Sequence, residues 1–311
     1  MNNQLLLRRR MMMQSKKDNI LTFTADAANS SVQLTAVGAP SSVTLEYNLN
    51  NGGWLPYTIG NVISLPNVGD NVKMRGNNAT FSTSANDYYQ FVMTGYVAAG
   101  GDVTSLQNEI GGDITLSQYC YYYMFRNCTS LTEAPALPST TLAERCYGTM
   151  FRGCTGLTTA PDLPATTLED NCYSSMFRGC TGLTQAPSLP ATTLEDNCYN
   201  YMFQGCTGLT QAPSLPATTL ANSCYQSMFS GCTGITSYDV ATLNDSSTAM
   251  FLNNSSCVSF TIHAETPPTI ANNTITGLKA DCIIYVPAAS VDAYKAAQYW
   301  SARASYIQAI P

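Results

Sequence analysis

Cys146-Tyr-Gly-Thr-Met-Phe-Arg-Gly-Cys154-Thr-Gly-Leu157 runs on into Thr158-Thr-Ala-Pro161-Asp-Leu163-Pro164-Ala-Thr-Thr-Leu168, and the same wording begins again at Cys172, Cys198 and Cys224. A less regular copy starts at Cys120. The starts lie 26 residues apart, and the second cysteines (Cys128, Cys154, Cys180, Cys206, Cys232) keep the same step. A fixed period in the range of about 20–50 residues marks a stacked array. Each unit offers about eight apolar side chains, whose burial cannot offset the ordering of its own backbone. A unit of this size gains its order by packing against a copy of itself.

Within a unit, local signals predict a helix followed by a minimal strand. In the third copy Thr192 and Glu195 have capping-box spacing, and Leu194, Cys198 and Met202 follow at i, i+4, i+8. Gly205 then stands where a helix C-terminus favours glycine, as Gly179 and Gly231 do in other copies. Thr210-Gln211-Ala212 reads as a short strand stopped by Pro213, which cannot donate to a sheet ladder. Strands stack about 4.8 Å apart and helices about 8–10 Å, so the array is expected to curve with its strands inside.

Ten of the twelve cysteines belong to the repeat, two per copy and eight residues apart. Free cysteine behaves as a small buried hydrophobe, which favours a file of thiols in the core over disulfides. Zinc is disfavoured, because there is no C-x-x-C pair and one histidine in the whole chain.

Outward from the repeats, five regions are expected: a basic tail (1–18), an Ig-like β-sandwich (19–96), an N-terminal cap or adaptor (97–119), the repeats (120–265) and a C-terminal cap (266–311). In the second region Leu21 and Phe23, Val32 and Leu34, and Val43, Leu45 and Tyr47 alternate with polar residues. Val62-Ile63, Val72-Lys-Met74 and Phe91-Val92-Met93 add further strands, and turns such as Asn51-Gly52-Gly53 separate them. Trp54 and Tyr57 offer either a sugar-stacking pair or, more plainly, aromatic packing. In the last region Cys282-Ile-Ile-Tyr-Val-Pro287 reads as a strand. Ser290 reads as the N-cap of a helix reaching Trp300, with Tyr294, Tyr299 and Trp300 covering the last repeat.

Charged residues make up 11% of the chain, against about 25% in ordinary domains. Stacked copies explain the shortage, because like charges in register repel. The net charge is −6; the first 18 residues carry +4, leaving −10 on the body. An acidic body argues against nucleic acid as a partner. No stretch of 18 apolar residues occurs, so no membrane span is expected, and the first residues lack the apolar h-region of a secretory signal peptide.

The set Met-Phe-x-Gly-Cys-Thr-Gly-Leu-Thr with Leu-Pro-Ala-Thr-Thr-Leu, over residues 120–257, resembles the BspA-like leucine-rich repeats of gut-bacterial surface proteins and of their phages and prophages. Ile284-Tyr-Val-Pro-Ala-Ala-Ser-Val-Asp-Ala-Tyr-Lys resembles the segment that closes such arrays. Leu45-Glu-Tyr and Asn71-Val-Lys-Met-Arg-Gly76 resemble a domain that precedes them. The resemblance implies a mixed α and β fold: an N-terminal β-sandwich, then a curved, right-handed leucine-rich-repeat α/β solenoid with a cap. It implies adhesion or protein–protein contact, with no catalytic residues to carry over. The alanine-proline insertion makes the period longer than in the commonest version of the repeat. The missing signal peptide favours a virion component or prophage product over a cell-wall location.

Candidate chemistry is sparse. His263, on which any Ser-His-Asp or Cys-His arrangement depends, reads as structural. Glu169-Asp170 and Glu195-Asp196 offer a cation or acid/base site, but as first-turn residues of a helix they suit its dipole. Arg126, Arg152 and Arg178 form a row that suits a helix C-terminus. Regular threonine rows raise an ice-binding reading, which the proline in each strand disfavours. The best candidate surface is the row Glu133, Thr159, Gln185, Gln211 and Ser237, which faces outward if Ala186 and its copies face the core. It varies while the surrounding text stays fixed. The expectation is a non-enzymatic adhesion or host-receptor-binding protein without metal or cofactor, displayed on a virion or extracellular surface. It contacts a protein or glycan on a host or neighbouring cell, with virion proteins as possible partners of its N-terminal region. The alternative is a structural virion or assembly component whose repeats act as spacer or decoration.

Overall fold

The computed structural model describes residues 19–311; the basic tail at 1–18 lies outside the described residues. The fold is mixed α/β, with several sheets and few helices. Strands β1 (Leu21–Ala25), β2 (Ser30–Val37), β3 (Leu45–Leu49), β4 (Leu55–Tyr57), β5 (Val62–Leu65), β6 (Asn71–Gly76), β7 (Tyr88–Thr94) and β8 (Val97–Gly100) build its N-terminal part. The period-two pattern buries alternate residues: Leu21, Phe23 and Ala25 in β1, and Val72, Met74 and Gly76 in β6. One sheet runs β4-β3-β6-β1-β8-β9, with β9 at Leu131–Glu133, and a smaller one runs β5-β2-β7. Their apolar faces meet where the rings of Phe23 and Phe91 lie 4.7 Å apart.

The expected helix in each repeat is absent. Residues 145–154 form a run of consecutive turns in which every fourth residue is left-handed: Arg145 (φ 58), Thr149 (φ 55) and Gly153 (φ 77). Asn171, Ser175 and Gly179 repeat the pattern, as do Asn197, Tyr201 and Gly205. Amide hydrogens alternate in their use. Those of Cys146, Gly148, Met150, Arg152 and Cys154 close turns onto the carbonyls of Ala143, Arg145, Tyr147, Thr149 and Phe151. Those of Arg145, Tyr147, Thr149, Phe151 and Gly153 reach the next copy, at Asp170, Cys172, Ser174, Met176 and Arg178. This stretch is thus half turn and half sheet rung, and every backbone N–H from Arg145 to Cys154 has an acceptor.

A left-handed non-glycine residue costs about 1–2 kcal/mol. Arg145, Thr149, Asn171, Ser175, Asn197 and Tyr201 each turn a donor toward the neighbouring copy, which a helix, bonded within itself, cannot do. Successive copies therefore sit at strand-like rather than helix-like separations. The phenyl rings of Phe125, Phe151, Phe177, Phe203 and Phe229 stack at 5.4–5.8 Å. The curvature argued from wide helices opposite narrow strands loses its cause. The capping box has no helix to cap, because turns follow Thr192 and Glu195, and the Thr192 carbonyl accepts from Thr218 and Thr219 of the next copy.

The minimal strands shrink too. Thr159 and Gln185 form one isolated parallel bridge, and Gln211 lies in none. Pro161, Pro187 and Pro213 follow within two residues of these positions, and proline brings no ladder donor.

The stack begins inside the N-terminal sheets. Phe91 of β7 donates its N–H to Met124 O at 2.7 Å, as Phe125 donates to Met150 O at 2.9 Å. Its ring stacks on Phe125 at 5.1 Å. Phe91 is therefore the first rung of the phenylalanine file, and β8 pairs with β1 on one side and β9 on the other. The region expected as an N-terminal cap or adaptor, 97–119, shares its sheet and core with both neighbours.

At the other end β10 (Ser237–Val240), β11 (Ser259–Ile262), β12 (Ile283–Val286) and β13 (Ile307–Ala309) form a parallel sheet. The closing helix is shorter than expected, α2 being Val291–Ala296 after α1 at Ser105–Asn108. Ser290 makes no capping bond; its hydroxyl donates to Glu265 O. Tyr294 and Trp300 are buried and donate to the carbonyls of Ala264 and Pro268, whereas Tyr299 faces solvent. Arg303 donates to the carbonyls of Ile275, Leu278, Lys279 and Ala280, closing the last turn.

Candidate functional site

The five residues of the outward row fall one per copy along one face. Glu133 ends β9 opposite Ala98 and is half-buried. Thr159, Gln185, Gln211 and Ser237 are exposed, and Ser237 opens β10. The next residues, Ala134, Ala160, Ala186 and Ala212, pack against the core, so the expected alternation holds here. Thr184 supports the row by donating its N–H and hydroxyl to Thr158 O, both at 3.2 Å. The result is a polar strip with one carboxylate, at Glu133, and hydroxyl and amide groups after it. Such groups can exchange hydrogen bonds with a ligand; they supply no acid–base pair.

The aspartate of each carboxylate pair serves the stack, and no helix dipole is present for the pair to suit. Asp170 accepts the Asp196 N–H at 3.1 Å through Oδ1, and Asp196 accepts the Asn222 N–H at 2.8 Å. The arginine row likewise has no helix C-terminus to suit. The carbonyls of Arg152 and Arg178 accept from Asn127 and Gly153 one copy earlier. Arg126 and Arg178 lie over the rings of Tyr123 and Tyr201 at 4.6 and 5.4 Å. Arg152 is held below the usual guanidinium range by partial burial and then by Arg178 and Arg126. His263 pairs with Asp239 at 2.8 Å on the surface. Trp54 and Tyr57 do not form a stacking platform. Tyr57 is buried with its hydroxyl donating to Asn61 O, and the Arg75 guanidinium covers the Trp54 ring at 4.0 Å. Among the described residues no group of three or more His, Cys, Asp or Glu could hold a metal ion, and no helix is long and apolar enough to cross a membrane.

What sequence reasoning missed is the work of the second cysteine. Cys154, Cys180, Cys206 and Cys232 each donate Sγ–H to the phenylalanine carbonyl of the preceding copy, Phe125, Phe151, Phe177 and Phe203, at 2.9–3.0 Å. Cys128 makes the same bond to Phe91 O at 3.0 Å. Where the pattern fades, Asn254 replaces the cysteine and its Nδ2 donates to Phe229 O at 3.0 Å. The position thus requires a donor. Burial pushes the thiols of Cys128 and Cys206 up to about 12, so they stay protonated and able to donate. All twelve cysteines are free and buried. The tyrosines after the first cysteines, Tyr121, Tyr147, Tyr173, Tyr199 and Tyr225, form a second stacked file.

The geometry defines a class: a mixed α/β protein whose repeats hydrogen-bond copy to copy and expose polar side chains from each copy. A scan of protein-family models and a search of curated proteins gave no match to this chain.

Proposed function

We propose that the protein is a non-enzymatic adhesion or host-receptor-binding protein, in which a BspA-like repeat solenoid presents the row Glu133, Thr159, Gln185, Gln211 and Ser237 to a protein or glycan. The observation that carries this reading is the contrast between that row and what lies beneath it. Four of its five members are exposed, with Glu133 half-buried, and the row reads Glu, Thr, Gln, Gln, Ser along the copies, while the cysteine, methionine and phenylalanine positions inside are buried and the same. A repeated frame with a variable polar row suits recognition, because a preorganised surface loses little freedom on binding. Display on a virion or extracellular surface, with N-terminal attachment to other virion proteins, belongs to the same proposal.

The test is binding of the full chain to host cells and to a glycan array, compared with the triple variant T159A/Q185A/Q211A. The full chain is required because Phe91 and β8 belong to the core of the stack, so a cut at residue 97 divides that core. Saturable binding lost at least tenfold in the variant supports the proposal. Binding unchanged by the variant removes the row from it. No binding to any cell or glycan, with incorporation into assembled particles instead, favours a structural virion component.

A further inference from the structure

Ten cysteines have places in the repeat; Cys257 and Cys282 do not, and they face each other. Their sulfurs lie 3.2 Å apart, both residues are completely buried, and one thiol donates to the other. Cys257 also contacts Ser259 O at 3.3 Å. The second cysteines of the repeat, by contrast, point their thiols at phenylalanine carbonyls. The pair joins two stretches far apart in the chain: the last irregular copy before β11 and the start of β12 in the closing segment.

We propose that Cys257 and Cys282 are a disulfide-forming site, oxidised by a low-molecular-weight disulfide, which locks the closing segment onto the last repeat. A disulfide bond is about 2.05 Å long, so the sulfurs need approach by only about 1.2 Å. Cys282 is the attacking sulfur. The Cys257 thiol hydrogen-bonded to it holds it below the ordinary thiol range against the opposing effect of burial, with the Arg303 guanidinium adding a smaller lowering. Cys257 is pushed up by that same bond and by burial. Cys282 also sits directly behind the exposed residues Lys279, Ala280 and Asp281, so a small local opening uncovers it.

The chemistry balances as thiol–disulfide exchange. The Cys282 thiolate attacks one sulfur of the reagent disulfide, forming a mixed disulfide and releasing one reagent thiolate. Cys257 then gives up its proton and attacks Cys282 Sγ, forming the Cys257–Cys282 bond and releasing the second thiolate. Two protein thiols are oxidised by two electrons and one reagent disulfide is reduced. Both protons end on the two reagent thiols.

The test incubates the folded, fully reduced full chain with oxidised glutathione, blocks remaining thiols with iodoacetamide under denaturing conditions, and maps the peptides by mass. The expected product is one cross-linked pair containing Cys257 and Cys282, two hydrogens lighter, formed at least tenfold faster than any oxidation of the repeat thiols. In C257S the reaction should stop at a glutathione adduct on Cys282. Oxidation of repeat thiols at the same rate, a pair that stays reduced, or a C257S chain without adduct would overturn the proposal. The readout is separate from ligand binding, so it stands or fails independently of the role of the outward row.

Discussion

Raising the pH from 8 to 10 should remove much of this protein's stability. The thiols of Cys120, Cys128, Cys172, Cys206 and Cys224 are all pushed up from 9.0 to about 12, with burial the largest cause in each. A group whose folded pKa lies above its unfolded value holds its proton more tightly in the folded state. Its contribution is complete below pH 9 and is lost as the pH rises toward 12. Each thiol loses about 1.4 kcal/mol per pH unit in that window. At pH 10 the five together cost about 7 kcal/mol, comparable with the whole stability of a folded domain, about 5–15 kcal/mol. The thiols of Cys146, Cys154, Cys180 and Cys232 and the tyrosine file shift in the same direction and add to the loss. Urea unfolding followed by circular dichroism at pH 7, 8, 9 and 10, with reductant throughout, measures it. Stability should change little between pH 7 and 8 and fall steeply above 9. An unfolding free energy at pH 10 within about 1 kcal/mol of that at pH 8 would show that the thiols are not sealed in a dry interior.

Other perturbations separate the turn ribbon from a helix and locate the donors. Ser175→Gly should stabilise by up to about 1 kcal/mol, because residue 175 is left-handed at φ 56; in a helix the same change costs about 0.5 kcal/mol, so the sign of the shift in denaturant midpoint decides. Asn254→Ala should cost about 1–3 kcal/mol, removing the donor to Phe229 O and the acceptor of the Tyr238 hydroxyl. Asn254→Cys, which restores a donor, should cost less, and thermal melts of the two variants side by side measure both effects. Phe177→Ala opens the middle of the phenylalanine stack and should cost about 3–5 kcal/mol in urea unfolding. T159A and Q185A, both on the surface, should each stay within about 0.5 kcal/mol of the parent.

The helix expected in each repeat and the ribbon found there share most of their signals, which is why the sequence was misleading at that point. Leu194, Cys198 and Met202 at four-residue spacing fit a helical face. The paired text Cys172-Tyr173, Met176-Phe177, Cys180 keeps a strict step of four over nine residues, however, and a helix of 3.6 residues per turn drifts away from such a file. Both members of each pair are buried. A four-residue cycle ending on a left-handed residue holds the file straight, and Gly153, Gly179, Gly205 and Gly231 mark one such position in four copies, with Asn127 in the first. Their partners four and eight residues earlier are Thr, Ser, Asn, Tyr or Arg, which carry no comparable label. The alternating strands of the N-terminal sheets were easier to read because period two belongs to strands alone. β4, three residues long and containing Pro56, escaped that reading.

Length, period and the choice of buried residues were legible in the chain alone. A 26-residue unit too small to stand by itself must lie on its copy, and side chains repeated in register must form files. The direction of each backbone donor was not legible, because a turn carbonyl inside one copy and a carbonyl in the next are equally good acceptors until the copies are brought together. Stacking made that choice. It sent alternate N–H groups between copies, drew the copies to within 5–6 Å of one another, and turned the second cysteine from an apolar filler into a hydrogen-bond donor. It also brought Cys257 and Cys282 together across 25 residues of chain, a contact that depends on how the closing segment lies against the last repeat.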